Sequence, residues 1–176
     1  MAKQLARFVA ALERIDPTGG PPAGRGVPLE MRDPPTRGAI EALHGIVDTD
    51  AVTAAWEAPL QAPPWGGPPV WIRGDLLSGN LLAQQGRLSA VIDFGGLGVG
   101  DPACDLMVGW NLLSADTRDV FRAALPVDDA TWARGRGWAL SVGLIALPYY
   151  QRTNPVLAGI SRYAIAEVLA DHEHGA

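Results

Sequence analysis

Three residues of this chain have types and spacing suited to phosphoryl chemistry: Asp75, Asn80 and Asp93. Asp75 follows the short apolar run Val70-Trp71-Ile72 and a glycine, in the stretch Pro69 to Leu82, "PVWIRGDLLSGNLL". Asn80 opens a second apolar run, and Asp93 closes a third, "LSAVIDF". The segment "QQGR" between the last two runs carries Gly86 and reads as a hairpin turn. Folding the chain there brings residue 80 opposite positions 91 to 93, so Asn80 and Asp93 share the open end of the hairpin. The loop bearing Asp75 leads into that same end. Two carboxylates and an amide oxygen therefore converge. A hard cation such as Mg²⁺ takes oxygen ligands of this kind, with substrate phosphates completing its shell. A separate carboxylate then receives the proton of an acceptor hydroxyl. Kinase sites divide the work in the same three ways, and this analogy supports the assignment alongside the geometry.

The elements that must position these residues form a mostly helical outline. Leu5, Phe8, Val9, Leu12 and Ile15 recur at helical spacing over Lys3 to Ile15. Residues 16–35 are rich in Gly and Pro and read as an irregular connection. A helix follows over Thr36 to Val47, and Asp50 is placed to cap another, "AVTAAWEAPL". After the three short strands, every segment beyond Pro102 reads as helix. These are "PACDLMVGWNLLS" as one helix, "DTRDVFRAAL", a glycine-interrupted "DDATWARGRGWALSVGLIAL", and Pro155 to His172. The fold class is α+β, mostly α, in a single unit without sequence repeats.

Together, "IRGDLLSGNLL" and "AVIDFGGLGVGDPACDL" resemble the aminoglycoside phosphotransferase and choline kinase-like family. That family has a catalytic loop of the form His-Gly-Asp, three residues, a small residue and Asn. A metal loop Ile-Asp-Phe and a segment Gly-Asp-Pro-x-x-Asp-Leu follow. The matching positions are Gly74, Asp75 and Asn80, then Ile92-Asp93-Phe94, then Gly100-Asp101-Pro102 and Asp105-Leu106. The resemblance implies a protein-kinase-like C-terminal lobe, with a small hairpin carrying the catalytic and metal loops. It implies ATP as phosphate donor and Mg²⁺ as cofactor. Asp75 becomes the catalytic aspartate, with Asn80 and Asp93 holding Mg²⁺ beside the nucleotide phosphates. The acceptor is a hydroxyl of an aminoglycoside, another amino sugar or an amino alcohol, which connects the family with antibiotic resistance. Asp101 and Asp105 are read as architectural, Asp101 as a helix cap before Pro102.

Two positions depart from the family pattern. Arg73 stands in place of the histidine, either pairing with Asp75 or Asp93 or filling a structural place, and Ser78 replaces a proline before Gly79. The single lysine, Lys3, lies on the first amphipathic helix rather than on a strand after a glycine-rich turn. The chain is therefore expected to be a C-terminal lobe only, a fragment or truncated product whose ATP-gripping N-terminal lobe lies outside the 176 residues. Its partner is that lobe in trans, or a second copy meeting an exposed apolar face. The alternative is a catalytically inactive binding or interaction module that has kept the fold.

Composition narrows the classes further. A net charge of −5 with dispersed arginines disfavours nucleic-acid binding. No apolar run is long enough to span a bilayer. One cysteine, Cys104, in an apolar setting reads as a buried thiol and fits a reducing cytoplasm. The Arg-Gly-Asp at 73–75 reads as a catalytic loop rather than an adhesion signal, because strands enter and leave it. "GGLGVGD" departs from a dinucleotide loop, with Asp101 where the last glycine belongs.

Overall fold

The structure is a computed structural model and describes residues 1–174. Helix α1 (Ala2–Glu13) buries Leu5, Ala6, Val9 and Leu12 along one stripe, following the sequence periodicity. Helix α2 spans Asp33–Ala42 rather than Thr36 to Val47, after a 3₁₀ turn at Leu29–Arg32. Pro34 and Pro35 enter its first turn, where backbone N–H groups have no helical partner to lose. The cap of α3 (Thr49–Leu60) is Asp48, not Asp50; its carboxylate accepts from Asp50 N at 3.2 Å and Ala51 N at 3.0 Å.

Among the described residues, four strands are present where three are legible by pattern. β2 (Leu81–Gln84) and β3 (Arg87–Val91) form the expected hairpin, turning through Gln85 and Gly86, both at positive φ. β1 (Val70–Ile72) pairs antiparallel with β4 (Gly98–Gly100), which lies within the glycine-rich "GGLGVGD". The Gly/Pro-rich connection is also ordered against β4. Val99 N donates to Pro21 O (2.8 Å), Ala23 N to Val99 O (3.0 Å), and Asp101 N to Gly26 O (2.8 Å). A Cβ on Gly98 would stand 2.6 Å from Ala23 Cα, and one on Gly100 2.7 Å from Gly26 O. The glycines of this segment therefore serve close backbone packing, not a nucleotide loop.

The segment expected as one helix from Pro102 divides. A buried 3₁₀ stretch, Pro102–Met107, passes into the single turn α4 (Val108–Asn111). After α5 (Ala115–Arg122), α6 (Asp129–Tyr150) runs unbroken through its glycines and through Pro148, correcting the expected interruption. Neighbours press against those glycines: a Cβ on Gly135 would meet Leu106 Cβ at 2.7 Å, and one on Gly137 would meet Leu29 Cδ2 at 2.7 Å. Helix α7 (Pro155–His174) packs along α6, and the core is filled by Trp56, Trp110 and Trp138 with the surrounding aliphatic side chains. No helix among the described residues is long and apolar enough to cross a membrane.

Glu13, at the end of α1, carries a buried Oε1 with no hydrogen-bond partner. Burial, reinforced by the nearby charge of Asp105, pushes its pKa up to about 7. The folded protein thus holds this proton more tightly than the unfolded chain. The associated stability is complete below pH 4.5, the ordinary Glu value, and is lost as pH rises through about 7. Glu13→Gln is expected to match wild type at pH 4.5 and to be about 1–2 kcal/mol more stable at pH 8, after discounting for solvent screening. Urea unfolding at the two pH values checks this.

Candidate active site

Strand β1 delivers Arg73 and Gly74 into a bend that a single carboxylate fixes. Asp105 Oδ2 accepts from Arg73 N at 2.7 Å and its Oδ1 from Gly74 N at 2.8 Å. Asp105 is buried, and desolvation pushes its pKa up to about 6 against the two N–H donors, which favour the ionised form. Gly74 sits at φ +77°, and a Cβ there would lie 2.8 Å from Gly96 O. Glycine is required both by the conformation and by the turn pressed against it.

Arg73 is fully buried, and its guanidinium holds two loops together through their main chains. Nη2 donates to Ile92 O at 2.8 Å and to Asp93 O, while Nη1 donates to Asp75 O. Nη1 also lies 3.5 Å from the Asp75 carboxylate. Of the two readings of Arg73, the structural one dominates. Its pairing with Asp75 is secondary, and its contact with Asp93 is to the carbonyl rather than the carboxylate.

Asn80 Nδ2 donates to Asp75 O at 3.0 Å and to Asp75 Oδ2 at 3.2 Å. Ile92 N donates to Asn80 O at 2.9 Å, closing the hairpin mouth within the expected register. Asp93 follows in the left-handed region at φ 57°, exposed, with Oδ1 accepting from Gly95 N at 3.3 Å. Asp75, Asn80 and Asp93 all line one cleft of about 250 Å³ whose far wall is α6 and α7. Asp75 and Asp93 also border a second, more open hollow of about 300 Å³ with Gly24, Gly95 and Gly96. The three residues expected to converge are thus brought together. Asp101 and Asp105 stay out of the cleft: Asp101 caps Ala103 N at 2.9 Å and pairs with buried Arg134 at 2.8 Å.

Sequence reasoning missed two participants. Arg25, from the Gly/Pro-rich connection, places Nη1 on Asp75 Oδ1 and 3.1 Å from Gly74 O, and it lines both hollows. Nothing periodic marks it, and its only local signal is the pair of flanking glycines. Asn111 lines the same cleft and donates to Leu76 O at 3.1 Å.

No group of three or more His, Cys, Asp or Glu side chains that could hold a metal ion occurs among the described residues. The donors available in the cleft are oxygens: the Asp93 carboxylate, Asn80 Oδ1, which accepts no hydrogen bond from the described residues, and Asp75. So sparse an all-oxygen set fits a hard cation that takes its remaining ligands from phosphates and water, and not a structural metal site.

Residues 1–138 match the family model of the phosphotransferase enzyme family. The chain belongs to that family. Among curated proteins, an aminoglycoside 3'-phosphotransferase of Escherichia coli is 38% identical over 88 residues, covering 45% of this chain and 32% of that protein. Among solved structures, a ternary complex of a thermostable aminoglycoside phosphotransferase APH(4)-Ia mutant with AMP-PNP and hygromycin B superposes with TM-score 0.55. It is 20% identical and covers 97% of this chain and 64% of that one. A macrolide 2'-phosphotransferase type I superposes with TM-score 0.60 at 17% identity, covering 92% and 57%. At these identities the structural likeness is one of fold, and the chain spans under two thirds of each relative. The charged and amide residues of the cleft lie within the segment matched to the phosphotransferase family, whereas the α6–α7 wall from Ala139 onward, with the Tyr150 and Ser161 hydroxyls, lies beyond it.

Arg73→His exchanges a three-carbonyl clip for a shorter ring with at most two donors. Its unfolding free energy is expected to fall by about 2–4 kcal/mol, the cost of stranding buried carbonyls. Equal urea midpoints for wild type and variant would show that the clip carries no stability.

Proposed function

We propose that this chain supplies the acceptor and cation-holding half of an ATP- and Mg²⁺-dependent O-phosphotransferase built as a kinase-like C-terminal lobe. The observation carrying the proposal is that Asp75, Asn80 and Asp93, from three separate segments, share one cleft. Family membership supports the reaction type, and the AMP-PNP complex of the APH(4)-Ia relative supports an adenine nucleotide as donor.

In this reading Asp75 orients the acceptor hydroxyl and takes its proton as the oxygen attacks the γ-phosphorus and the bond to ADP breaks. Asn80 Oδ1 and the Asp93 carboxylate are the cation ligands. Bound Mg²⁺ supplies charge neutralisation at the phosphates. Asn80 has a second task, because its Nδ2 positions Asp75. The acceptor is a small hydroxyl compound, of the aminoglycoside or amino alcohol kind. Lys3 lies on α1, outside the residues lining the cleft, so the phosphate-gripping groups belong to a partner lobe.

One observation favours the second reading, an inactive binding module. Both Asp75 oxygens are already engaged, Oδ1 by Arg25 and Oδ2 by Asn80, so an acceptor hydroxyl has to displace one of them. Transfer of label from γ-labelled ATP, in a form with an ATP-binding lobe preceding residue 1, separates the two. Asp75→Ala is expected to lower kcat by about 10²–10⁴-fold, with Asp93→Ala also losing its response to Mg²⁺. Transfer at the wild-type rate by both variants would remove these residues from the mechanism. Absence of transfer by the unmutated two-lobed form would favour the binding module.

A further inference from the structure

The cleft has two unlike ends. The carboxylates Asp75 and Asp93 stand at one end, with Arg25 as the cation beside them. The opposite wall presents Val142, Ala146 and Tyr150 from one face of α6, and Leu157, Ile160 and Ala164 from one face of α7. The spacings, four and four on α6 and three and four on α7, are those of single helical faces. Two helices thus turn apolar stripes toward a space that opens directly onto Asp75.

One further polar side chain borders the cleft without serving it. Asn111 is only 6% exposed and lines the cleft. Its Nδ2 is spent on Leu76 O, while its Oδ1 is buried without a hydrogen-bond partner. The amide is held in place by its other end, and its oxygen presents no open surface to the cleft, so Asn111 adds no acceptor there.

Charge decides between acceptor classes. A polycationic amino sugar carries several ammonium groups, each needing a carboxylate or water. Here the carboxylates lie at the reacting end, one of them already facing Arg25, and the α6–α7 wall is hydrocarbon apart from two hydroxyls, that of Tyr150 and that of Ser161, which donates to Leu157 O at 3.0 Å. Seating further ammonium groups there incurs their desolvation with neutral hydroxyls and no carboxylate to offset it. At about 250 Å³ the cleft is smaller than the roughly 300–1,000 Å³ of pockets that enclose drug-sized ligands. One ring or short chain enters, and any remainder stays outside.

We infer that, among the acceptors considered above, the cleft takes an apolar-bodied alcohol with at most one positive charge rather than a polycationic amino sugar, with the reacting hydroxyl at Asp75. The acceptor role rests on the phosphotransferase reading, whereas the selectivity of the cleft does not. The test therefore measures binding, without nucleotide. The full chain is titrated, by amide NMR shifts, with two six-membered-ring probes: 4-tert-butylcyclohexanol, uncharged and apolar, and 2-deoxystreptamine, a dicationic ring diamine. The alcohol is expected to bind about tenfold or more tightly than the diamine, with shifts confined to 139–164 and the Asp75 loop. Leu157→Glu and Ala146→Asp each add a carboxylate to the hydrocarbon wall and are expected to narrow or reverse the ratio. Leu157 and Ala146 are only partly buried, so at least one variant should keep the wild-type circular dichroism.

Tighter binding of the diamine by wild type would overturn the inference, as would alcohol shifts that avoid α6 and α7, or an unchanged ratio in a folded variant. Loss of phosphoryl transfer in the two-lobed form, with the binding preference intact, would fail the enzymatic reading alone.

Discussion

One buried carboxylate organises the site. Asp105 accepts two successive backbone N–H groups, those of Arg73 and Gly74, and so bends the chain as it leaves β1. The bend aims Asp75 into the cleft and brings Gly74 against Gly96, setting the distance between the two loops. An ionised group in so dry a place is costly, and the raised pKa of Asp105 records that cost. The two N–H donors offset much of it, and the buried Arg73 guanidinium adds favourable charge. The same guanidinium ties the Asp75 loop to the Ile92–Asp93 carbonyls. Asp105 and Arg73 thus form one polar knot within an apolar interior, with each buried donor or acceptor defining a piece of backbone geometry.

Around the knot, close backbone packing serves as the second device. Glycines at 74, 96, 98 and 100 let three main-chain segments approach at distances that a Cβ would forbid. The Gly/Pro-rich connection after α1 exploits this by running alongside β4, which carries Arg25 to Asp75 across fifty positions of sequence. Proline suits such a segment because it donates no N–H to a ladder and costs little conformational entropy on ordering.

The cleft divides its labour between two structural classes. Loops of the small sheets hold the polar groups, where left-handed and bent backbone can aim side chains individually. Two long helices hold the apolar wall, where regular spacing presents a continuous face. The charged and amide groups lie within the segment matched to the phosphotransferase family, and the largely apolar wall lies beyond it.

Local chemistry made much of this legible in advance. The helical periodicity of α1, the hairpin turn at Gly86 and the convergence of Asp75, Asn80 and Asp93 follow from spacing and turn preferences that act over a few residues. The architectural role of Asp101 follows from its place before Pro102. Tertiary structure decided what depends on partners distant in sequence. It paired β1 with a glycine-rich β4 that no β-propensity would nominate, carried α6 through its glycines because neighbours fill the space a Cβ would take, and turned Arg73 from a candidate partner of Asp75 into a clip on three carbonyls. It also brought Arg25 to the site and gave the cleft its hydrocarbon wall. Sequence alone determined which groups could react, since that is a matter of residue type and short spacing. Only the folded chain decided what surrounds them, because burial and close approach are properties of segments that meet in space.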